Sequence, residues 1–222
     1  MKSSLQRQLL RFDQNLRRRQ KLNSSALIAG IDEAGRGPLA GPVVSAAVIL
    51  PNSSFKVPVN DSKQMTAAAR EQAYCALLRS DALIGVGACS AVEIDRIGIH
   101  KATYLSMRRA LAKLETVPDF ILVDGNVIPA GLKIDALAVV DGDAQSLSIA
   151  AASIVAKVVR DQWMGLIHAI SPEYQFEQHK GYGTADHLEA LRHFGPGPFH
   201  RYSFQPVRES AGIADPWVYV GE

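Results

Sequence analysis

The sequence predicts an α/β fold whose sheet starts with antiparallel strands and finishes with parallel ones. Three observations carry that prediction. The apolar runs at 27–31 and 120–123 each close on an acidic turn signal, Asp32-Glu33 and Asp124-Gly125, as interior strands do. A third run, 43–50, follows the first across the breakers Gly35-Arg36-Gly37-Pro38 and Gly41-Pro42, a spacing that suits an antiparallel neighbour. A helical pattern over 91–114 then feeds the run at 120, the order expected of a crossover into a parallel strand.

The remaining elements follow in chain order. Leu5, Leu9, Leu10, Phe12 and Leu16 fall at near-helical spacing and predict one basic helix before residue 27. Residues 51–60 read as a loop. Thr66 is the N-cap of a helix reaching about Arg79, and 83–88 is a short third strand containing glycines. The pattern over 91–114 is interrupted at Gly98. The fourth strand is 120–124 and the fifth is 136–140, ending in the acidic turn Asp141-Gly142-Asp143. An alanine-rich helix spans 146–170, with Ser153, Lys157, Arg160 and Asp161 along one side. Beyond Ser171-Pro172 the composition turns to His, Gly, Tyr and Pro, with one more helix near 184–193 and an irregular tail. The chain thus divides into a basic helix (1–26), a core (27–170) and a C-terminal helical and irregular segment packing on it (171–222).

Composition narrows the class of protein. With 222 residues and 47% hydrophobic content, the chain can bury an ordinary core. The longest strongly apolar stretch, 43–50, is far below the roughly 20 residues of a membrane span, and residues 1–21 contain no apolar signal region, so a cytoplasmic location is expected. Cys75 and Cys89 lack any motif spacing and read as reduced thiols. Charge is unevenly spread: the net charge is +2, yet seven cations face only Asp13 in the first 21 residues. A basic helix beside an acid-rich body suits a polyanionic ligand; it equally suits a solvated amphipathic helix.

Asp32, Glu33 and Asp124 stand at the ends of predicted strands, where open α/β sheets place their ligands. Asp161 can join them from the long helix. Converging carboxylates repel one another unless a cation sits among them, and an all-oxygen set suits Mg²⁺ or Mn²⁺. Two such ions about 3.5–4 Å apart would support in-line phosphodiester hydrolysis. Taken singly, each acid has a plainer reading: an Asp before Gly is a common turn residue, and Arg160-Asp161 suits a helix surface. Gly35-Arg36-Gly37 offers backbone amides and a guanidinium to a phosphate, or simply a tight hairpin. His179-Lys180-Gly181-Tyr182-Gly183 offers a cation and a ring able to stack on a base, or an exposed loop.

In order, the segments 29–44 (AGIDEAGRGPLAGPVV), Asp61-Ser62-Lys63, Val123-Asp124-Gly125-Asn126, 151–161 (AASIVAKVVRD), His179-Lys180-Gly181-Tyr182 and His200-Arg201-Tyr202-Ser203-Phe204 closely resemble bacterial ribonuclease HII. The resemblance implies a ribonuclease H-like fold with a mixed five-stranded sheet flanked by helices and a helical C-terminal part. It implies Mg²⁺- or Mn²⁺-dependent cleavage of RNA in RNA/DNA hybrids and incision 5′ to ribonucleotides in duplex DNA, leaving 3′-hydroxyl and 5′-phosphate ends. Asp32, Glu33, Asp124 and Asp161 match the family's catalytic, metal-binding acids. Gly35, Arg36 and Gly37 match the turn that meets the ribonucleotide 2′-hydroxyl, and Tyr182 matches the tyrosine stacked at the RNA-to-DNA junction. Lys63 and Lys180 fall in matched segments and are further nucleic-acid contacts on this reading. Two positions depart from the pattern. Gly98 replaces an asparagine and is expected to loosen a helix start; Asp141 replaces a basic residue and is expected to weaken phosphate contacts. A non-catalytic nucleic-acid-binding module, or another nuclease such as a junction resolvase or exonuclease, remains the alternative. A partner in the replication machinery is left open by the sequence, and a monomer is expected.

Overall fold

The computed structural model describes residues 4–51 and 65–213. Its centre is one five-stranded sheet, β1 (Ile28–Ala34), β2 (Val43–Ile49), β3 (Leu83–Cys89), β4 (Phe120–Asp124) and β5 (Ala136–Val139), in the spatial order β3-β2-β1-β4-β5. β1 pairs antiparallel with β2, and β2 with β3, as the breaker-rich connections predict; β4 and β5 continue from β1 in parallel. The mixed sheet is therefore the predicted one.

One strand differs from expectation in a way that shapes the site. β1 does not stop at the acids but runs through Asp32 and Glu33 to Ala34, because β2 still pairs with it there: Asp32 faces Ala46 and Glu33 faces Ser45. On its other side the parallel ladder with β4 closes at Ile31 and Val123. Asp32 and Asp124 are the next residues of these two strands. They stand side by side where the parallel ladder opens, the place at which strand ends admit a ligand.

Helices cover both faces. α1 (Ser4–Arg19), α2 (Ala67–Leu78) and the 24-residue α5 (Leu147–Ile170) pack on one face, where Leu9, Leu77, Leu147, Ile154 and Val155 join Val44, Ala46 and Val48. α4 (Ile99–Ala112) covers the other through Met107 and Ala110 against Ile31, Ala47, Ile121 and Val123. The basic helix is thus a docked amphipathic element, with Leu9 and Leu16 buried and Arg7, Arg11, Arg18 and Arg19 exposed. Its lone acid anchors it: Asp13 Oδ2 accepts bonds from Ser148 N (3.0 Å) and Ser148 Oγ (2.9 Å) in the first turn of α5. There it serves an N-terminal amide that the helix itself cannot satisfy.

Thr66 caps α2 as expected, its Oγ1 accepting from Ala69 N at 3.2 Å. The break at Gly98 separates α3 (Ala91–Ile97) from α4. Gly98 lies at the junction of the two helices with φ +78 and is the N-cap of α4 with no side-chain cap bond, so what it withholds from the start of that helix is a capping side chain, and neither helix interior is interrupted. After α5, the short α6 (Phe176–His179), then α7 (Ala185–Phe194, capped by Thr184) and α8 (Gln205–Ser210) fold back onto the 39–42 loop. Leu39 N donates to Gly181 O (2.7 Å), Gly41 N to Phe199 O (2.8 Å) and Arg201 N to Leu39 O (2.9 Å). Both cysteines are free thiols. No described helix is long and apolar enough to cross a membrane.

Candidate active site

A cavity of about 340 Å³ opens at the end of the parallel ladder, lined by Asp32, Glu33, Ala34, Gly35, Arg70, Asp124, Ser153, Lys157 and Tyr182. Three of the four expected acids therefore share one space, together with the glycine turn and the tyrosine. Each is held by a local contact. Asp32, only 5% exposed, accepts from Glu33 N through Oδ1 (2.7 Å) and hydrogen-bonds Ser153 on α5. Asp124 Oδ1 accepts from Gly142 N at 2.6 Å, in the turn after β5. Glu33 Oε1 lies 3.3 Å from Arg36 Nη1.

Asp161 is turned differently. Its Oδ1 accepts from Lys157 Nζ at 2.7 Å, one helical turn earlier, and it is not among the residues lining the cavity. Lys157 itself lines that space, so α5 presents an ammonium where a fourth carboxylate was expected. Arg36 is half exposed and bridges Glu33 to His100, whose Nδ1 lies 3.3 Å from Arg36 Nη2. Tyr182 is 45% exposed. Lys180 follows α6 with a left-handed backbone, its carbonyl accepting from Arg160. Lys63 lies outside the described residues. Asp141, also left-handed, precedes the 3-10 turn Gly142–Ala144 that supplies the amide to Asp124.

The electrostatics of the acid cluster are unresolved within the chain. Burial drives the Asp32 carboxyl well above its usual range, and the neighbouring Glu33 and Asp124 charges push it further; Ser153 and the Glu33 amide pull against this. Glu33 is also raised, first by burial and then by Asp124, with Arg36 opposing. Such a set is stabilised in its ionised form by a cation, and oxygen-only donors fit a hard divalent ion. The carboxylates face the cavity without closing into a finished ligand set: among the described residues no group of three or more His, Cys, Asp or Glu is positioned to hold an ion.

Residues that pattern reading missed lie behind the cavity. Arg160, part of the polar stripe of α5, is fully buried, as is Arg201. Burial and the adjacent Arg160 lower the Arg201 guanidinium to about 9. Three histidines also sit there. His200 Nδ1 accepts from Gly197 N (2.9 Å), its Nε2 lies 3.0 Å from His187 Nε2, and His187 Nδ1 reaches Tyr182 O at 2.8 Å. That chain is satisfied by neutral rings with the proton on His200 Nε2 and His187 Nδ1, a tautomer assignment made from the bonding partners. His179 stacks on His187 with centroids 4.5 Å apart and bonds Tyr174 O through Nε2 at 2.8 Å. Buried arginine and histidine carry no periodic signature; Arg160, His179, His200 and Arg201 fall within the segments that carry the family resemblance, which was the one signal available for them.

A mixed sheet with carboxylates clustered at its open parallel edge, facing a glycine turn and an exposed aromatic ring, defines a metal-dependent enzyme of phosphodiester chemistry. Comparison with known proteins gives the family. The family model for ribonuclease HII matches residues 29–207. The ribonuclease HII of Chlamydia trachomatis serovar A is 47% identical over 212 residues, 95% of this chain and 97% of that protein. Among solved structures, ribonuclease H2 from Pyrococcus horikoshii superposes with a TM-score of 0.71 at 27% identity, covering 84% of this chain and 97% of that one. The PCNA:RNase HII complex from Archaeoglobus fulgidus gives 0.68 at 25% identity, covering 81% and 95%. This chain belongs to the ribonuclease HII family. It is a ribonuclease H, an endonuclease that cleaves RNA in RNA/DNA hybrids and depends on a divalent metal ion.

Proposed function

We propose that Asp32, Glu33, Asp124 and Asp161 are the metal-binding acids of this chain, holding two Mg²⁺ or Mn²⁺ ions, and that it incises 5′ to ribonucleotides embedded in duplex DNA. The single observation that carries the reading is the shared cavity, lined by three carboxylates together with Gly35 and Tyr182. Divalent ions in such a site supply an activated water and stabilise the charge developing on the leaving oxygen. The chain's own residues do the positioning. The Gly142 amide fixes the Asp124 carboxylate, Ser153 fixes Asp32, and Arg36 favours the ionised form of Glu33. Lys157 holds Asp161 one turn away on α5, so joining the set means exchanging that ammonium for the metal.

Ribose recognition falls to the Gly35-Arg36-Gly37 turn. A 2′-hydroxyl both donates and accepts, so backbone groups on a glycine turn can separate ribose from deoxyribose. A Cβ at Gly35 would strike the Arg160 side chain and the Pro42 carbonyl, and its φ of +95 is one that other residues rarely adopt. Tyr182, exposed at the rim, can stack on the nucleotide beside the scissile bond.

The test is labelled duplex DNA carrying one ribonucleotide, incubated with Mg²⁺, Mn²⁺ or chelator beside an all-DNA duplex. Nicking 5′ to the ribonucleotide, abolished by chelator and absent from the control, is expected. Binding without any metal-dependent product would leave only a nucleic-acid-binding module.

A further inference from the structure

We infer that Arg160 and Arg201 are positioning residues for ribonucleotide recognition: two buried guanidiniums that clamp the Gly35–Pro42 loop to the turn carrying Tyr182 and keep this platform cationic from behind. The inference rests on the reading of the Gly35-Arg36-Gly37 turn and Tyr182 given above.

The two side chains bind almost nothing except backbone carbonyls of those segments. Arg201 Nη2 donates to Gly35 O (2.6 Å) and Gly41 O (2.9 Å), Nη1 to Arg36 O (3.0 Å), and Nε to Gly41 O (3.0 Å). Its guanidinium carbon lies 5.1 Å from the centre of the Phe204 ring. Arg160 Nε donates to Pro42 O (3.0 Å), and its Nη2 to Ala40 O (3.2 Å) and to Lys180 O (3.0 Å). Arg160, on α5, thereby links the 35–42 loop to the turn between α6 and α7 that carries Tyr182, and its guanidinium carbon lies 5.9 Å from the Tyr182 ring centre. The segments expected to read the ribose and to stack beside it therefore share one support.

Charge separates this arrangement from ordinary loop packing. Among the described residues no carboxylate lies within ion-pair distance of either guanidinium, Asp95 and Asp161 acting on Arg201 and Arg160 only from further off, and Arg160 Nη1, buried, has no hydrogen-bond partner. Burying an ion without a counter-ion costs several kcal/mol, whereas neutral donors could satisfy the same carbonyls more cheaply. Two cations directly behind a glycine turn, neither in a contact ion pair, suit an approaching phosphodiester, whose field they meet through a few ångströms of low-dielectric protein. Arginine's rigid fork adds what lysine lacks, since it fixes several carbonyls at once.

Arg201→Lys keeps the charge and loses the fork; Arg160→Lys loses the crossing bond to Lys180. For each variant, kcat and KM on the single-ribonucleotide duplex, affinity for all-DNA duplex and the melting temperature are measured. A displacement of about 1 Å is worth roughly 10²-fold in rate. Accordingly, kcat/KM on the ribonucleotide substrate should fall by about that factor, while all-DNA affinity moves by less than about 3-fold, within the range of a peripheral contact. In a Tyr182→Ala background the further loss from Arg160→Lys should shrink, because both act through one turn. Unchanged ribonucleotide preference in folded Arg201→Lys and Arg160→Lys overturns the inference, as does failure of both to fold, which would make the clamp purely structural. A wild-type enzyme without ribonucleotide preference instead removes the underlying reading.

Discussion

The carboxylates at the open end of β1 and the histidines behind Tyr182 are both buried groups of titratable side chains, and they reach charge balance by opposite routes. His187 and His200 are each at most 1% exposed, yet every ring nitrogen has a partner when both rings are neutral. Asp32 and Glu33 have local hydrogen bonds, but each is destabilised as an anion by burial and by its acidic neighbours. The difference separates scaffold from site. A group whose needs are met inside the chain rigidifies what it touches, here the Tyr182 carbonyl, whereas a group left in conflict is where an external cation is bound most favourably.

The sharpest way to break that comparison is Asp124→Asn. The amide oxygen can still accept from Gly142 N, so the fold should persist. Cleavage should fall by well over the ~10²-fold associated with disturbing residues that merely support a metal ligand. Without metal, the variant should melt at or above the wild-type temperature, because one source of repulsion on Asp32 and Glu33 is gone. Near-normal turnover in Mg²⁺, or a clearly lower melting temperature, would place Asp124 in the satisfied class instead.

Next in size is the response to metal. Ligand binding to the folded state stabilises by about 2.7 kcal/mol when the ion is at a hundred times its dissociation constant. Thermal melts of the wild type should therefore rise with Mg²⁺ or Mn²⁺ and fall back with chelator, and Asp124→Asn should blunt the rise. An equal rise in both proteins would put the bound ion somewhere other than the carboxylate cavity.

Tyr182→Ala probes the supported side. Stacking of a base on an aromatic ring is worth roughly 1–3 kcal/mol, so ribonucleotide-duplex affinity should weaken by that amount and preference over all-DNA duplex should narrow. Competition binding at fixed salt reads both, and an unchanged preference would remove Tyr182 from recognition.

What the sequence disclosed follows from how each feature signals itself. Strands, caps and the parallel crossover were legible because apolar runs, Thr66 and the glycine breakers act locally. Asp32, Glu33 and Asp124 were legible as neighbours because strand ends are. β1 overran its predicted end because pairing with β2 outlasted pairing with β4, a tertiary fact. At Gly98 the sequence marked the break between two helices, and the structure narrows the expected effect to the missing side-chain cap at the start of α4. Arg201 and Gly35 are 166 residues apart, and an arginine is ordinarily a surface residue, so nothing local announces a guanidinium beneath a loop. Asp161 shows the converse: its i, i+4 partner Lys157 was visible in the pattern, but whether it turns to that lysine or to the cavity is decided by packing.

The smallest expected effect is on pH-dependent stability, where the two groups should pull in opposite directions. His187 and His200 are both lowered to about 4, chiefly by burial, against an ordinary value of 6.5. Between those values the unfolded chain binds more protons than the folded one, so stability present above pH 6.5 is lost as the pH falls toward 4. The raised carboxyls have the reverse sign: the folded state holds their protons more tightly, so acidification relieves their repulsion. Metal-free melts should therefore decline only gently below pH 6.5, by roughly 2–4 °C for each kcal/mol of net loss. His200→Gln should remove the His200 share of the decline, leaving that of His187, while lowering stability at neutral pH by disturbing the bond from Gly197 N. Asp124→Asn should steepen the decline, because less carboxylate relief remains to offset the histidines. Parallel curves for wild type and His200→Gln would show that the histidine chain is not what sets the acid limb.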